Sequence, residues 1–301
     1  MNGTLLVTGG AGYLGRRVLA LARHHAQNQR VIGTTNRTPV AYGESIPLDL
    51  ANEKLVWATL DALQPSAIIH TAAITPALGS AMTDAALWNV NVRGTAALAR
   101  WASHNQARLV HVSSDAIWGG RDAPYTEIDL PAPISPYGAS KAAAEAVVQA
   151  LYPAAAIART SLIYGFDPPD PNTTMALQLL SGQRSGVLFT DEFRCPVFID
   201  DLALALLELA NSDQAGIFHL VGPHAISRYE LGAALVRWHG FDPATLPAGT
   251  TASSGLRRPS RVVVDANHTQ NQIRTVLRDV ATVTTSEVRD GTNTRSPRAI
   301  S

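Results

Sequence analysis

Short β-rich apolar runs alternate with longer Ala- and Leu-rich stretches through the first half of the chain, and that alternation predicts βαβ units on a parallel sheet. The runs Thr4–Thr8, Arg30–Thr34, Ala67–Thr71, Arg108–Ser113 and Ala155–Arg159 include Leu5-Leu6-Val7, Ile68-Ile69 and Leu109-Val110-His111-Val112. Apolar runs of this kind suit strands covered on both faces. Between them, Gly12–Ala26, Glu53–Leu63, Leu87–Asn105 and Ser140–Leu151 carry Ala, Leu, Val and Trp at helical spacing with charged or amide residues opposite, as crossover helices would. The texture changes after Gly165, where Phe166-Asp167-Pro168-Pro169-Asp170-Pro171-Asn172 can continue neither helix nor strand.

The expected fold class is therefore α/β, a Rossmann doubly wound parallel sheet with a smaller C-terminal substrate-binding domain. Residues 1–165 would form the dinucleotide-binding domain. Residues 192–221 would rejoin it, because Ile199–Ala210 reads as a helix opened by Asp200-Asp201 and Gly216–Val221 as a further strand. Residues 166–191 and 222–283 would form the substrate-binding region, with Ser227–His239 a helix capped by Ser227 and by Glu230 three residues on. The polar stretch 284–301 reads as a frayed or disordered tail.

Composition narrows the partners. Of 301 residues, 46% are hydrophobic and 16% charged, enough to bury a large core. Lys plus Arg equals Asp plus Glu at 24 each, so no overall field draws nucleic acid or an anionic membrane. A small neutral or anionic ligand fits better, and a homodimer stays open. Met1-Asn2-Gly3-Thr4 lacks a signal-peptide pattern, and no run approaches the roughly 20 apolar residues of a membrane span, so a cytoplasmic protein is expected. Cys195 is the only cysteine and reads as a small buried side chain. The nine histidines are scattered, with His24-His25 at the end of a surface helix, and no metal site is expected.

Leu5-Leu6-Val7-Thr8-Gly9-Gly10-Ala11-Gly12-Tyr13-Leu14-Gly15 runs from a strand straight into a helix, with glycines at 9, 12 and 15. Glycine lets such a turn be tight, lets a pyrophosphate approach the backbone and lets the helix pack on the strand. Free N–H groups and the positive end of the helix dipole then face the phosphates. The second strand closes without Asp or Glu, on Gly33-Thr34-Thr35-Asn36-Arg37. An acid there would hold the ribose of NAD, whereas Arg37 can pair with a 2′-phosphate, which favours NADP with NAD as the alternative. A solvated surface arginine is the other reading of Arg37.

In Ser135-Pro136-Tyr137-Gly138-Ala139-Ser140-Lys141 a helix starts with Ser135 as N-cap and Pro136 in its first turn, and Tyr137 and Lys141, four apart, share a face. A phenol of pKa ~10 is a poor acid–base group at neutral pH, and a neighbouring ammonium would lower that value. The pair could then exchange a proton with a carbonyl or alcohol oxygen. Ser114 lies 23 residues earlier, just past a predicted strand, at the edge where open α/β sheets bind ligands. Its hydroxyl would support the oxygen on which charge builds during hydride transfer.

With these residues in view the chain resembles the extended short-chain dehydrogenase/reductases, most closely the dTDP-4-dehydrorhamnose reductase-like, sugar-nucleotide-binding branch, over roughly Leu5 to Asp265. The likeness rests on the glycine turn, Leu48-Asp49-Leu50, Ile69-His70-Thr71-Ala72-Ala73, Asn91-Val92-Arg93-Gly94-Thr95, Val112-Ser113-Ser114-Asp115 and Tyr137-x-x-x-Lys141. It implies a catalytic Ser114, Tyr137 and Lys141. The cofactor would be bound by Gly9, Gly12, Tyr13, Leu14, Gly15, Asn36 and Arg37, with Asp49 and Leu50 beside the adenine, Ala72 and Ala73 lining the cleft, and Asn91 supporting the lysine.

The segment Ser113-Ser114-Asp115-Ala116 resembles the reductases of this superfamily and lacks the Asp-Glu pair of its dehydratases, which implies simple carbonyl reduction. Thr75, Asp115, Trp118, Arg194 and Arg258 are the candidate substrate contacts, the two arginines as bidentate partners for a phosphate or carboxylate or, alternatively, as members of structural ion pairs. Thr75-Pro76-Ala77-Leu78-Gly79-Ser80-Ala81 departs from the acidic stretch usual in the reductases. The implied activity is NADP-dependent reduction of a keto group, of a nucleotide-linked sugar or another carbonyl compound. An NAD-dependent sugar-nucleotide epimerase and a non-catalytic regulatory subunit, like the beta subunit of methionine adenosyltransferase, are the alternatives.

Overall fold

In a computed structural model of the protein, described for residues 3–25, 29–36, 38, 40, 42–75, 83–255 and 258–289, seven strands form one parallel sheet. In chain order they are β1 (Thr4–Thr8), β2 (Arg30–Thr35), β3 (Glu44–Pro47), β4 (Ala67–His70), β5 (Arg108–Ser114), β6 (Ala156–Thr160) and β7 (Gly216–Leu220). Across the sheet they run β7-β6-β5-β4-β1-β2-β3, and every neighbouring pair is parallel. The order reverses beside β1, which opens a crevice at the carboxyl ends of β1 and β4.

Alternation of side chains along each strand builds a core on both faces. Leu5, Val7, Ala67, Ile69, Val110, Val112, Ala156 and Ala158 face one layer with α1 (Tyr13–His25) and the long apolar helix Ile199–Ala210. Leu6, Ile68, Leu109 and Ile157 face the other, with Val56 and Leu60 of α2 (Glu53–Leu63), Trp101 of the helix Thr95–Asn105, and Val148 of the helix Pro136–Leu151. This two-sided burial is why the strands are short and apolar. The edge strand β3 escapes the sequence pattern because Glu44-Ser45-Ile46-Pro47 is mostly exposed.

Three local differences from the sequence reading have physical causes. The expected helix Leu87–Asn105 is a short α-turn (Asp84–Leu87), a π-helical segment (Trp88–Gly94) and then α-helix (Thr95–Asn105). Gly94 allows the close approach of this segment to Leu50, since a Cβ there would lie 2.8 Å from Leu50 Cβ. A helix not anticipated, Pro171–Leu180, follows the proline-rich turn and is capped by Asp170, whose carboxylate accepts from the N–H of Asn172 and Thr173. At the end of the chain, Val280–Arg289 is helical where the tail was expected from 284, because Val280 and Val283 are buried and Asp279 caps the N–H of Thr282. Arg228–Trp238 is helical with the expected capping box of Ser227 and Glu230.

Candidate active site

The glycine turn joins β1 to α1 at the crevice. Gly9 has φ +70°, and a Cβ there would lie 2.8 Å from Ala72 Cα, so the turn lies directly against the segment leaving β4. A Cβ at Gly15 would overlap Gly9 O, and Gly12 N–H closes the turn on Gly9 O at 2.8 Å. Gly9, Gly12 and Gly15 thus meet the steric demands of a turn that presents helix N–H groups to a pyrophosphate, and the site fits a dinucleotide. Leu14 is buried, and Tyr13 is half-buried with its hydroxyl against Gly165 and its phenol pushed up by burial.

Other predicted cofactor residues lie around the same edge. Asn36 lies just past β2 and Arg37 falls outside the described residues. Asp49 is exposed, its carboxylate accepting from Ala51 N–H at 2.9 Å, while Leu50 is buried against Gly94. Ala72 and Ala73 are half-buried, as is Thr75, which borders a stretch outside the described residues. A buried relay backs them. The His70 ring lies between the hydroxyls of Thr8 at 2.7 Å and Thr95 at 2.9 Å, and burial lowers its pKa to about 3, so it is neutral.

Asn91 sits in the π-helical segment and is buried. Its Oδ1 accepts from Ile74 N–H at 2.8 Å, and its Nδ2 donates to Ile74 O at 3.1 Å and Ser140 Oγ at 3.0 Å. It therefore ties the cleft lining to the helix that carries Tyr137 and Lys141. Its partner there, Ser140, directly precedes Lys141 in the chain.

Ser114 ends β5 and caps the turn Asp115–Ile117, its hydroxyl accepting from Ala116 N–H at 3.2 Å. Tyr137 stands in the first turn of Pro136–Leu151, which Ser135 caps and which can lie against the turn Asp115–Ile117 because Gly138 has no Cβ to meet Ala116 O. Burial, reinforced by the Asp115 carboxylate and opposed by the Ser114 hydroxyl, pushes the Tyr137 phenol up to about 12. The direction is opposite to the lowering expected from a lysine neighbour. Lys141 is buried, and its Nζ donates to Val112 O at 2.7 Å and lies 3.5 Å from His111 Nε2. Burial holds its pKa down at about 8. The phenol is therefore protonated at neutral pH, as a proton donor must be.

The substrate side holds a charge cluster. Asp115 is buried, accepts from Ser161 Oγ at 2.6 Å and lies 3.8 Å from Arg194 Nε; burial raises its pKa against the pull of Arg194. Arg258 makes two hydrogen bonds, of 2.7 and 3.0 Å, to the buried carboxylate of Glu192, and Arg194 lies 3.4 Å from the same group while donating to Phe193 O and Pro259 O. Both arginines are thus held in ion pairs. Trp118 is corrected outright: it is 0% exposed, stacked on Tyr125 at 4.5 Å and covered by the Arg159 guanidinium, so it belongs to the core. Sequence reasoning missed Glu192, Ser161 and Arg228. For Glu192 a signal existed, since it lies two residues from Arg194 in an extended segment and so on the same side. Among the described residues no cluster of His, Cys, Asp or Glu could hold a metal, and no helix is long and apolar enough to cross a membrane.

The fold is of the extended short-chain dehydrogenase/reductase type. The chain belongs to the RmlD substrate-binding domain family, whose model matches residues 3–290. It is 30% identical over 238 residues to a dTDP-4-dehydrorhamnose reductase of Aggregatibacter actinomycetemcomitans, covering 77% of each chain. It is also 28% identical over 274 residues to the methionine adenosyltransferase 2 subunit beta of Danio rerio, covering 87% of this chain and 83% of that one. Among solved structures, a dTDP-4-dehydrorhamnose reductase of Bacillus anthracis in complex with NADP superimposes with a TM-score of 0.81 at 22% identity, over 97% of this chain and 99% of that one. The Bordetella bronchiseptica enzyme WbmG in complex with NAD gives a TM-score of 0.79 at 21% identity, over 96% and 95%.

Proposed function

We propose that the protein is an NADP-dependent reductase of a keto group in a nucleotide-linked sugar, with Tyr137 as the general acid. The observation that carries this reading is a Tyr137 phenol kept protonated by burial, in the first turn of a helix whose Gly138 packs against the turn that Ser114 caps at the carboxyl end of β5. When bound, the nicotinamide supplies a hydride. Ser114 supports the carbonyl oxygen as negative charge builds on it, and Tyr137 gives that oxygen its proton. Lys141, one turn further along the same helix, is the cationic group toward which a phenolate formed at Tyr137 would be drawn, and Asn91 holds the helix start through Ser140. Preference for NADP over NAD rests on the absence of an acid after β2 and the presence of Arg37.

Similarity to a regulatory subunit, the beta subunit of methionine adenosyltransferase 2, supports a second reading of cofactor binding without turnover. Tyr137→Phe separates the two. The reductase reading expects consumption of NADPH in proportion to a dTDP-4-keto-6-deoxy sugar, and a loss of about 100- to 10,000-fold in kcat for the variant with NADP affinity nearly unchanged. Equal turnover in the two proteins removes Tyr137 from the mechanism, and NADP binding with no turnover in the parent protein favours the regulatory reading.

A further inference from the structure

Two histidines interrupt the apolar runs of the buried strands β4 and β5. His70 and His111 are partners in register, so they share the sheet face covered by the helices Thr95–Asn105 and Pro136–Leu151, and their ring centroids lie 5.2 Å apart. Both are buried and neutral, because burial and the nearby Lys141 hold each pKa far below the ordinary histidine range. The hydrogen bonds around His70 place its proton. Thr95 Oγ1 gives its only proton to Asn91 O at 2.7 Å and so accepts from His70 Nε2–H, which leaves His70 Nδ1 to accept from the Thr8 hydroxyl.

His111 carries its proton on the opposite nitrogen. Its Nε2 lies 3.5 Å from Lys141 Nζ, and an ammonium can only donate, so Nε2 is the bare nitrogen and Nδ1 the protonated one. Nδ1 has no hydrogen-bond partner among the described residues, a cost that an apolar side chain in its place would not incur. Consecutive residues of β5 thus take two of the three ammonium N–H groups, Val112 through its carbonyl at 2.7 Å and His111 through its ring, and one is left for the reaction. We propose that His111 is a positioning residue for Lys141: its Nε2, with the ring packed on His70, accepts from the ammonium and fixes the lysine one turn from Tyr137. The inference deepens the proposed reduction and rests on that reading for its effect on turnover, while the contact itself is tested without turnover.

An acceptor favours the charged lysine, so His111 opposes the burial that brings its pKa down to about 8. Among the groups on the elements packed around Lys141, Glu145 also favours the charge but is paired with Arg159 of β6, His70 is neutral, and Asp115 acts on Tyr137. Arg93 and Arg100 of the covering segments are exposed and bonded to Asn89 and Glu53.

The test joins 15N NMR of the histidine-labelled protein to the behaviour of His111→Phe, which keeps an aromatic ring but removes the acceptor, and His111→Gln, whose amide restores one. In the parent protein the His111 signals, identified by their loss in the variants, should show a neutral ring protonated at Nδ1 from about pH 5 to 9, and His70 a neutral ring protonated at Nε2. In His111→Phe the lysine pKa should fall by about one unit, so the alkaline gain in urea stability should begin about one pH unit lower than in the parent. Its kcat at pH 8 should fall about 5- to 10-fold with KM and NADP affinity within about 3-fold, and His111→Gln should recover most of both changes. If the Phe variant fails to fold, the His111 tautomer in the parent and the Gln profile still decide. A His111 that is charged or protonated at Nε2, or a Phe variant whose stability profile and kcat match the parent's, overturns the proposal. A parent protein that consumes no NADPH, yet shows the Nδ1–H tautomer and the shifted onset, keeps the His111–Lys141 contact and sinks the reductase reading instead.

Discussion

Replacing Lys141 by Met should separate what the lysine costs the fold from what it gives the site. Lys141 is 2% exposed, and its pKa falls from an ordinary 10.5 to about 8, chiefly through burial, with Glu145 opposing the fall. At neutral pH the folded protein therefore carries a buried ammonium at a cost of about 3 kcal/mol, taking about 1.4 kcal/mol for each pH unit. Met removes that cost but forfeits the hydrogen bond to Val112 O, a charge-assisted bond of about 1.5–3 kcal/mol. The two nearly cancel, so neutral-pH stability should change by less than about 2 kcal/mol.

The pH dependence is the sharper readout of Lys141. The unfolded chain holds the lysine proton more tightly than the folded one, so the parent protein should gain stability as pH rises from about 8 to 10.5. Lys141→Met has no such proton to lose and should lack that gain. Urea unfolding of both proteins across this window checks the difference, which should approach about 3 kcal/mol at its alkaline end. Parallel pH profiles would refute the buried-ammonium argument.

Two further outcomes test the packing around the site. Arg159 and Glu145 form a buried pair, with side chains 3% and 2% exposed and contacts of 2.9 to 3.2 Å, so Glu145→Ala should strand the guanidinium and cost about 3–5 kcal/mol in urea unfolding. A loss below about 1 kcal/mol would contradict the pairing's importance. Cys195 is 1% exposed, its thiol raised to about 11 by burial, and it should resist a thiol-disulfide reagent until the chain unfolds. Rapid labelling of the native protein would overturn this.

How much of this was legible follows from which residues act locally. The strands β1, β4 and β5 could be placed almost to the residue because burial on both faces leaves a run of apolar side chains, whereas β3 is an exposed edge with no such run. Ser114, Tyr137 and Lys141 could be read because a strand end and a helix face fix them by spacing alone. The π-helical turn at Asn91 could not, since its apolar pattern matches that of an ordinary helix and its distinction lies in bonds to Ile74 and Ser140, 17 and 49 residues away. Trp118 misled because closeness to Ser114 in sequence says nothing of the side chain's direction, and here it stacks on Tyr125. The pKa of Tyr137 went the other way from expectation because desolvation, which spacing does not reveal, sets its direction.

Hydride delivery to a carbonyl carbon beside the Tyr137 phenol is the step on which the proposed reduction depends. Single-turnover reaction of the protein with NADPH deuterated at the nicotinamide C4, using a dTDP-4-keto-6-deoxy sugar as acceptor, tests this most directly. Deuterium from one face of the nicotinamide is expected at the new carbinol carbon, with NADP formed in equal amount and both lost in Tyr137→Phe. A product free of deuterium, or an epimer formed with the cofactor unchanged, would contradict it.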